Sequence, residues 1–321
     1  MRPGRTARTL IRMRTPDLGP YFTTRDAVRR GISRARLRSS AWDAPFYGVR
    51  AEPGALAVEG EWGDVEREHL HRARALQARQ NDALFNTHVT AAIAWGMPLP
   101  MSVIDGARID LGTFSPARLP RIVGVNGHEV QPRLASVVTE PRTGLRVTSP
   151  ASTWAMLASM LRHPYDVVAA GDAAVRTWRV DEPLATVEQL QRAIDAGRRV
   201  GVGMLREALP RLRTRSASRP ESWMRLIISD AGLPEPESNH DVIEEGARLA
   251  CVDGAYPGLK IAIEYGGEHH LKDPEQWARD IRRYEELEAR GWIVVRVTKA
   301  ELFGAPQVFL ARLRRAIARR S

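Results

Sequence analysis

Two carboxylates and a pair of histidines near the C-terminal end offer the most specific chemistry in the chain. Asp253 closes a short strand-like run, Arg248–Val252, and Glu264 ends the next, Leu259–Tyr265, across the Tyr-Pro-Gly turn within Gly254–Gly258. Adjacent antiparallel strands joined this way bring both acids to one end of a sheet. Two close carboxylates with a backbone carbonyl, such as that of Tyr265, make a hard oxygen site suited to Mg²⁺, with Mn²⁺ as a substitute. An ion there lowers the pKa of an attacking water and neutralises charge developing on a phosphate. Glu264 in an otherwise apolar strand is costly unless paired or metal-bound. His269 and His270 follow closely and can give or take a proton beside a phosphate. Asp253 before Gly254 also reads as an ordinary turn acid; its pairing with Glu264 is what singles it out.

The elements that must hold these residues follow from periodicity. Glu221–Ala231 reads as a helix with Trp223, Leu226 and Ile227 on one face, stopped by Gly232. The apolar run Leu259, Ile261, Ala262 and Ile263 points to a strand buried on both faces. Glu275–Arg290 is an amphipathic helix broken at Gly291, Trp292–Val297 an apolar strand, and Gln307–Arg320 a closing helix. The order α, β-hairpin, α, β, α predicts an α/β sandwich, with Trp277 and Trp292 in its core.

The runs VDGAYPGLKIAIEYGGEHH and RDIRRYEELEARGWIVVRV within this segment resemble the PD-(D/E)XK restriction-endonuclease-like superfamily, in its branch related to very-short-patch-repair nucleases. The resemblance spans residues 220–321. It implies that Asp253 and Glu264 bind metal, that Glu221 is the helix acid of many members, and that His270 is the histidine after the second strand. It also aligns Asp280 and Arg283 with the Asp and Arg of the following helix, Arg283 serving nucleic-acid binding. One position departs from the pattern. The superfamily usually carries Lys two residues after the Glu, where this chain has Gly266. Lys260 shares the face of Glu264 on an extended strand but lies about 13 Å away, which leaves His269 or His270 as the better substitute. Glu221 is also the kind of acid that a helix dipole favours in its first turn. Asp280 and Arg283, three apart, also suit a solvated ion pair.

Charge is distributed unevenly in the rest of the chain. Of 321 residues, 48 are Lys or Arg against 38 Asp or Glu, a net +10. Residues 1–50 hold 12 basic and 3 acidic groups, and residues 206–220 hold 5 and 1. Such concentration suits a phosphate-rich partner. Only Lys260, Lys272 and Lys299 are lysines, an Arg bias that a GC-rich genome also produces. Residues 1–20 read as a flexible basic arm. Residues 21–55 read as a winged helix-turn-helix: a helix capped by Thr23 or Thr24, a break at Gly31, a helix Arg34–Ser40 capped by Ser33, and a strand at Phe46–Val49. Arg34, Arg36 and Arg38 would face DNA. The runs HVTAAIAWGMPLP and GLRVTSPASTW are similar to abortive-infection antitoxin-like regions, which supports a DNA-binding winged helix ahead of a middle domain, 56–205. His88, His128 and His163 have no ligand spacing and read as structural. A basic linker, 206–220, leads to the endonuclease-like domain, 221–321.

The sequence therefore predicts an α/β (α+β) multidomain protein. No apolar run is long enough to span a membrane. A lone Cys251 excludes intramolecular disulfides and Cys-based zinc clusters, and no signal segment is evident, so a cytoplasmic protein is expected. The function expected is metal-dependent DNA endonuclease with an N-terminal DNA-binding module. The alternative is a DNA-binding transcriptional regulator or antitoxin-like protein whose nuclease fold is inactive.

Overall fold

A computed structural model describes residues 18–55, 62–79, 83–106, 108–119, 121–266 and 274–320, with the side chains of 274–278 and 280 outside it. The described residues form a mixed α/β protein with three sheets, and none of their helices is long and apolar enough to cross a membrane.

The N-terminal unit runs β1 (Tyr21–Thr23), α1 (Thr24–Arg29), α2 (Arg34–Leu37) and β2 (Val49–Ala51), with β1 and β2 antiparallel. The caps expected from sequence are present: Thr23 accepts from the Asp26 amide and Ser33 from the Arg36 amide. Phe22, Ala27, Ile32 and Leu37 form the small core. The closing strand begins at Val49, where a strand was expected at Phe46–Val49. Gly48, left-handed at φ +77°, reverses the chain first, and Phe46 lies beneath the Arg72 guanidinium.

The middle unit comprises α3 (Asp64–Gln77), β3 (Leu84–Asn86), α4 (His88–Ala94), α5 (Met101–Ile104), β4 (Ile109–Phe114), β5 (Val125–Val130), β6 (Val137–Thr139), β7 (Arg146–Thr148), α6 (Pro150–Leu157), α7 (Pro164–Val175), α8 (Val187–Asp195) and α9 (Val202–Ala208). Its sheet is ordered β5-β4-β3-β7-β6, and a large apolar cluster joins it to the helices. Trp154 sits at the centre, donating its indole N–H to the Val167 carbonyl at 2.9 Å. Gly171 on α7 permits that approach, since a Cβ there would meet Leu212 at 2.6 Å and Trp154 at 2.8 Å.

The C-terminal unit runs α10 (Arg219–Asp230), β8 (Glu237–Glu244), β9 (Ala247–Tyr256), β10 (Ile261–Gly266), α11 (Pro274–Ala289), β11 (Ile293–Thr298), α12 (Lys299–Gly304) and α13 (Pro306–Ala318). The sheet order is β11-β10-β9-β8, with β10–β11 parallel and the other pairs antiparallel. One face packs Ile261 and Ile263 under α10 and α13; the other packs Ala262 and Val252 beside Leu287 and Trp292. Two elements escaped the sequence reading: β8, whose ESNHDVIE composition hides its alternation, and the short helix α12.

Helix α10 is buried on two sides, where one apolar face was expected. Met224 and Ile228 join the C-terminal core while Leu226 joins the core of the middle unit. Residues 206–220, read as a basic linker, are packed against the protein. Leu212 and Ser216 are buried, Arg213 pairs with Glu235, and Arg215 donates to the Asn239 carbonyl at 2.6 Å. Arg211 and Arg219 likewise pair with Asp230 and Asp166, while Arg206 is exposed.

The central tie is an ion pair between α7 and α10. Asp172 Oδ2 accepts from Arg225 Nη2 at 2.9 Å and Ser222 Oγ at 2.7 Å, and Oδ1 from the Arg213 amide at 2.7 Å. Burial pushes the Asp172 carboxyl above the usual range, against the pull of Arg225 and these donors. Removing one partner from a buried pair leaves the other charge uncompensated. Arg225→Met should therefore cost about 3–5 kcal/mol, and the double variant Asp172→Leu/Arg225→Met should recover much of that loss. Urea unfolding of the full chain measures both.

Candidate active site

The antiparallel ladder of β9 and β10 sets the site. Tyr256, Ala255 and Gly254 face Ile261, Ala262 and Ile263, and the pairing stops one step before Asp253 would face Glu264. There the Asp253 side chain takes over the acceptor role of the ladder: its Oδ2 accepts from the Tyr265 amide at 2.7 Å. The two acids meet within the sheet. The sequence reading placed Asp253 at a strand end, but β9 continues three residues further, to Tyr256. Pairing extends through residues that looked like turn, and the true reversal is Pro257–Lys260.

Glu264 is 4% exposed and lies beside Arg296 in the parallel β10–β11 register. Arg283 of α11 donates from Nη2 to Glu264 Oε2 at 3.2 Å. The guanidinium groups of Arg283 and Arg296 both lie over the Tyr284 ring. A buried carboxylate is tolerable here because α11 supplies a cation across the face of the sheet.

Glu221 completes the acidic group from α10. Its Oε1 accepts from Ser218 Oγ at 2.8 Å, and its Oε2 from the Ala217 amide at 2.8 Å and Asn239 Nδ2 at 2.6 Å. Glu221 thus does serve the helix N-terminus, yet its charge also reaches Asp253. Burial first, and then the negative charge of Glu221, push the Asp253 carboxyl up to about 7, while the Tyr265 amide and Arg283 pull the other way. Asn239 is the positioning residue that sequence reasoning missed. It lies opposite Asp253 in the β8–β9 register and is left-handed at φ +48°. An Asn inside a polar strand, a residue type that tolerates this conformation, was the available signal.

Asp253, Glu264, Glu221 and Arg283 come together from four elements. His269 and His270 lie outside the described residues, as does the side chain of Asp280, which occupies α11. Lys260 does not share the strand of Glu264. It is left-handed at φ +49°, and its Nζ lies 3.3 Å from the Arg290 carbonyl and 3.7 Å from Glu244. Trp292 is buried as expected. Arg34, Arg36 and Arg38 are exposed on and just after α2. His88 and His128, read as scattered, are stacked with ring centroids 4.1 Å apart. His163 packs on Trp223 instead.

Among the described residues, no group of three or more His, Cys, Asp or Glu side chains is arranged to hold a metal. A divalent ion would therefore rest on Asp253 and Glu264 with backbone and water oxygens. That donor set suits Mg²⁺, which keeps much of its water and often takes only one or two protein carboxylates. Burial first and then the charge of Glu221 disfavour an ionised Asp253, and a cation bound there would favour it.

The chain is similar to two proteins of Mycobacterium tuberculosis, "Uncharacterized protein MT2308" of strain CDC 1551 / Oshkosh and "Uncharacterized protein Rv2248" of strain ATCC 25618 / H37Rv. Each is 32% identical over 205 residues, covering 63% of this chain and 71% of the relative. No family model matches the chain. No solved structure matches it.

The raised Asp253 carboxyl gives a pH signature. Folding raises its pKa, so the folded state holds an extra proton between the ordinary aspartate value and about 7. Stability in the absence of metal should fall as pH rises through that window and level off above it. Asp253→Asn retains an acceptor for the Tyr265 amide and removes the charge. It should raise Tm at pH 8 by roughly 2–4 °C and leave it unchanged at pH 4. Melting curves across that range decide the point.

Proposed function

The chain belongs to the family of these two mycobacterial proteins, and for it we propose metal-dependent hydrolysis of DNA phosphodiester bonds by the C-terminal unit, with the N-terminal unit binding DNA. One observation carries the proposal. Asp253 and Glu264 lie on adjacent strands one step beyond the last paired residues, with the charge of Glu221 acting on Asp253 and the Arg283 guanidinium on Glu264.

Bound at Asp253 and Glu264, Mg²⁺ or Mn²⁺ would supply an activated water and neutralise charge on the phosphate. The protein's own residues provide the rest. The Tyr265 amide fixes the Asp253 carboxylate, and Asn239, Ser218 and the Ala217 amide fix Glu221. Arg283 is placed to meet a phosphate oxygen beside Glu264. His269 and His270 remain the sequence-level candidates for proton transfer. Arg34, Arg36 and Arg38 offer exposed cations to a DNA backbone.

One observation favours the second reading, a DNA-binding regulator or antitoxin-like protein with an inactive nuclease fold. Gly266 stands where the resembled superfamily carries Lys, and Lys260 is engaged with Glu244 and the Arg290 carbonyl. Defence and repair are the settings in which either activity would serve, inside the cell.

Plasmid nicking separates the two. The full chain should nick supercoiled DNA with Mg²⁺ or Mn²⁺ and not with EDTA, and Glu264→Ala should abolish the product. Absence of product with either metal at any enzyme concentration leaves the regulator reading. Replacing Arg34, Arg36 and Arg38 together with Ala should lower the slope of log affinity against log salt by about 3 in duplex-DNA binding. An unchanged slope removes α2 as the DNA-contacting helix.

A further inference from the structure

A half-buried cation with no carboxylate partner among the described residues marks a second site, in the middle unit. Arg199, between α8 and α9, donates from Nη2 to the carbonyls of Leu134 at 3.1 Å and Ala193 at 2.8 Å. Its Nε is buried without a hydrogen-bond partner, and no Asp or Glu pairs with it among the described residues. Burial lowers its pKa with no anion to offset the effect. A guanidinium that is partly withdrawn from water and met only by carbonyls gains from an anion that reaches it.

Arg199 lines a cavity of about 380 Å³ together with His88, His128, Glu129, Leu134, Met156 and Val200, and Glu129 makes no ion pair with it. That volume falls within the range of small-molecule sites. Met156 and Leu134 give it apolar walls, and Val200, 75% exposed, stands at its rim.

Hydrogen bonds hold the histidine rings in place. His69 Nε2 lies 2.8 Å from Thr90 Oγ1, which accepts from the Asp110 amide at 2.9 Å. Buried Asp110 in turn accepts through Oδ1 from Asn126 Nδ2 at 3.2 Å and His128 Nε2 at 2.8 Å. The Thr87 hydroxyl donates to Met156 Sδ at 2.9 Å, so its oxygen accepts from His88 Nδ1 at 3.2 Å, leaving Nε2 of His88 as an acceptor. Burial, with the nearby charge of His128, drives the pKa of His88 down to about 4, so its ring is neutral near pH 7. The His88 backbone is left-handed at φ +45°, strain of the kind that persists where the surroundings over-determine a residue.

One cation without a carboxylate partner and the lone-pair nitrogen of His88 specify a ligand: a single negative charge, a neighbouring hydrogen-bond donor and an apolar body. We propose that this cavity binds a small hydroxy- or amino-substituted carboxylate monoanion, with its carboxylate on Arg199 and its donor on His88. The site shares no residue with the carboxylates of the C-terminal unit and stands whether or not DNA is cleaved.

Three probes test the proposal on the full chain by calorimetric titration at pH 7. Salicylate has the anion and the donor, salicylamide lacks the charge, and benzoate lacks the donor. Salicylate should bind at least about tenfold tighter than salicylamide, a difference of about 1.4 kcal/mol, with benzoate between them. Arg199→Gln should reduce salicylate to the level of salicylamide. Equal affinity of salicylate and salicylamide overturns the proposal, as does the absence of saturable salicylate binding or indifference to Arg199→Gln. If the variant does not fold, the imidazole NMR signals of His88 and His128 in the unaltered chain decide. They should shift on adding salicylate and stay still with salicylamide; any other pattern overturns the assignment.

Discussion

The Asp172–Arg225 ion pair is the contact on which most of the architecture rests. Both side chains are almost fully buried, and together they join α7 of the middle unit to α10 of the C-terminal unit. The rest of Asp172 is satisfied by Ser222 and the Arg213 amide, so the segment before α10 is pinned with the helix. Arg225 also reaches Glu235, just before β8. One guanidinium therefore ties a helix of each unit and the entry to the second sheet. Such a pair adds little net stability against an apolar equivalent, but each partner punishes the loss of the other. Its effect is to admit only one docking of α10.

That docking fixes the acidic site. Glu221 stands one turn before Arg225 on the same helix, and its position near Asp253 follows from where α10 sits. Asn239 completes the hold by donating to both Glu221 and the Arg215 carbonyl. The pKa of Asp253 is thus a consequence of interdomain packing as well as of its own strand. Burial alone raises a carboxylate; burial next to a second, immobilised carboxylate raises it further.

The middle unit shows the same economy in its buried polar groups. The Asp110 carboxylate would be costly on a central strand without partners, and Asn126 and His128 supply them, while Thr90 accepts from its backbone amide. Arg199 differs, since only backbone carbonyls meet it among the described residues, and its Nε, like Asn86 Oδ1 in the same unit, is buried without a hydrogen-bond partner.

The amino-acid sequence alone determined the mixed α/β class, the caps of α1 and α2, the apolar runs of β10 and β11, and the closeness of Asp253 and Glu264. Each of these is a local matter of periodicity, capping chemistry or a short turn, legible within a few residues. It did not reveal β8, because alternation is blurred where Asn239 turns left-handed and polar side chains face other elements. Nor did it show that 206–220 is held against the protein by Leu212, Ser216 and ion pairs, since an Arg paired with a distant Glu looks the same in sequence as one in solvent. Tertiary structure alone decided the pairing of Glu264 with Arg283, the approach of Glu221 to Asp253, the stacking of His88 on His128 and the isolation of Arg199. All four depend on which surfaces of separate elements meet, and side chains tens of residues apart acquire their partners only when the fold brings those surfaces together.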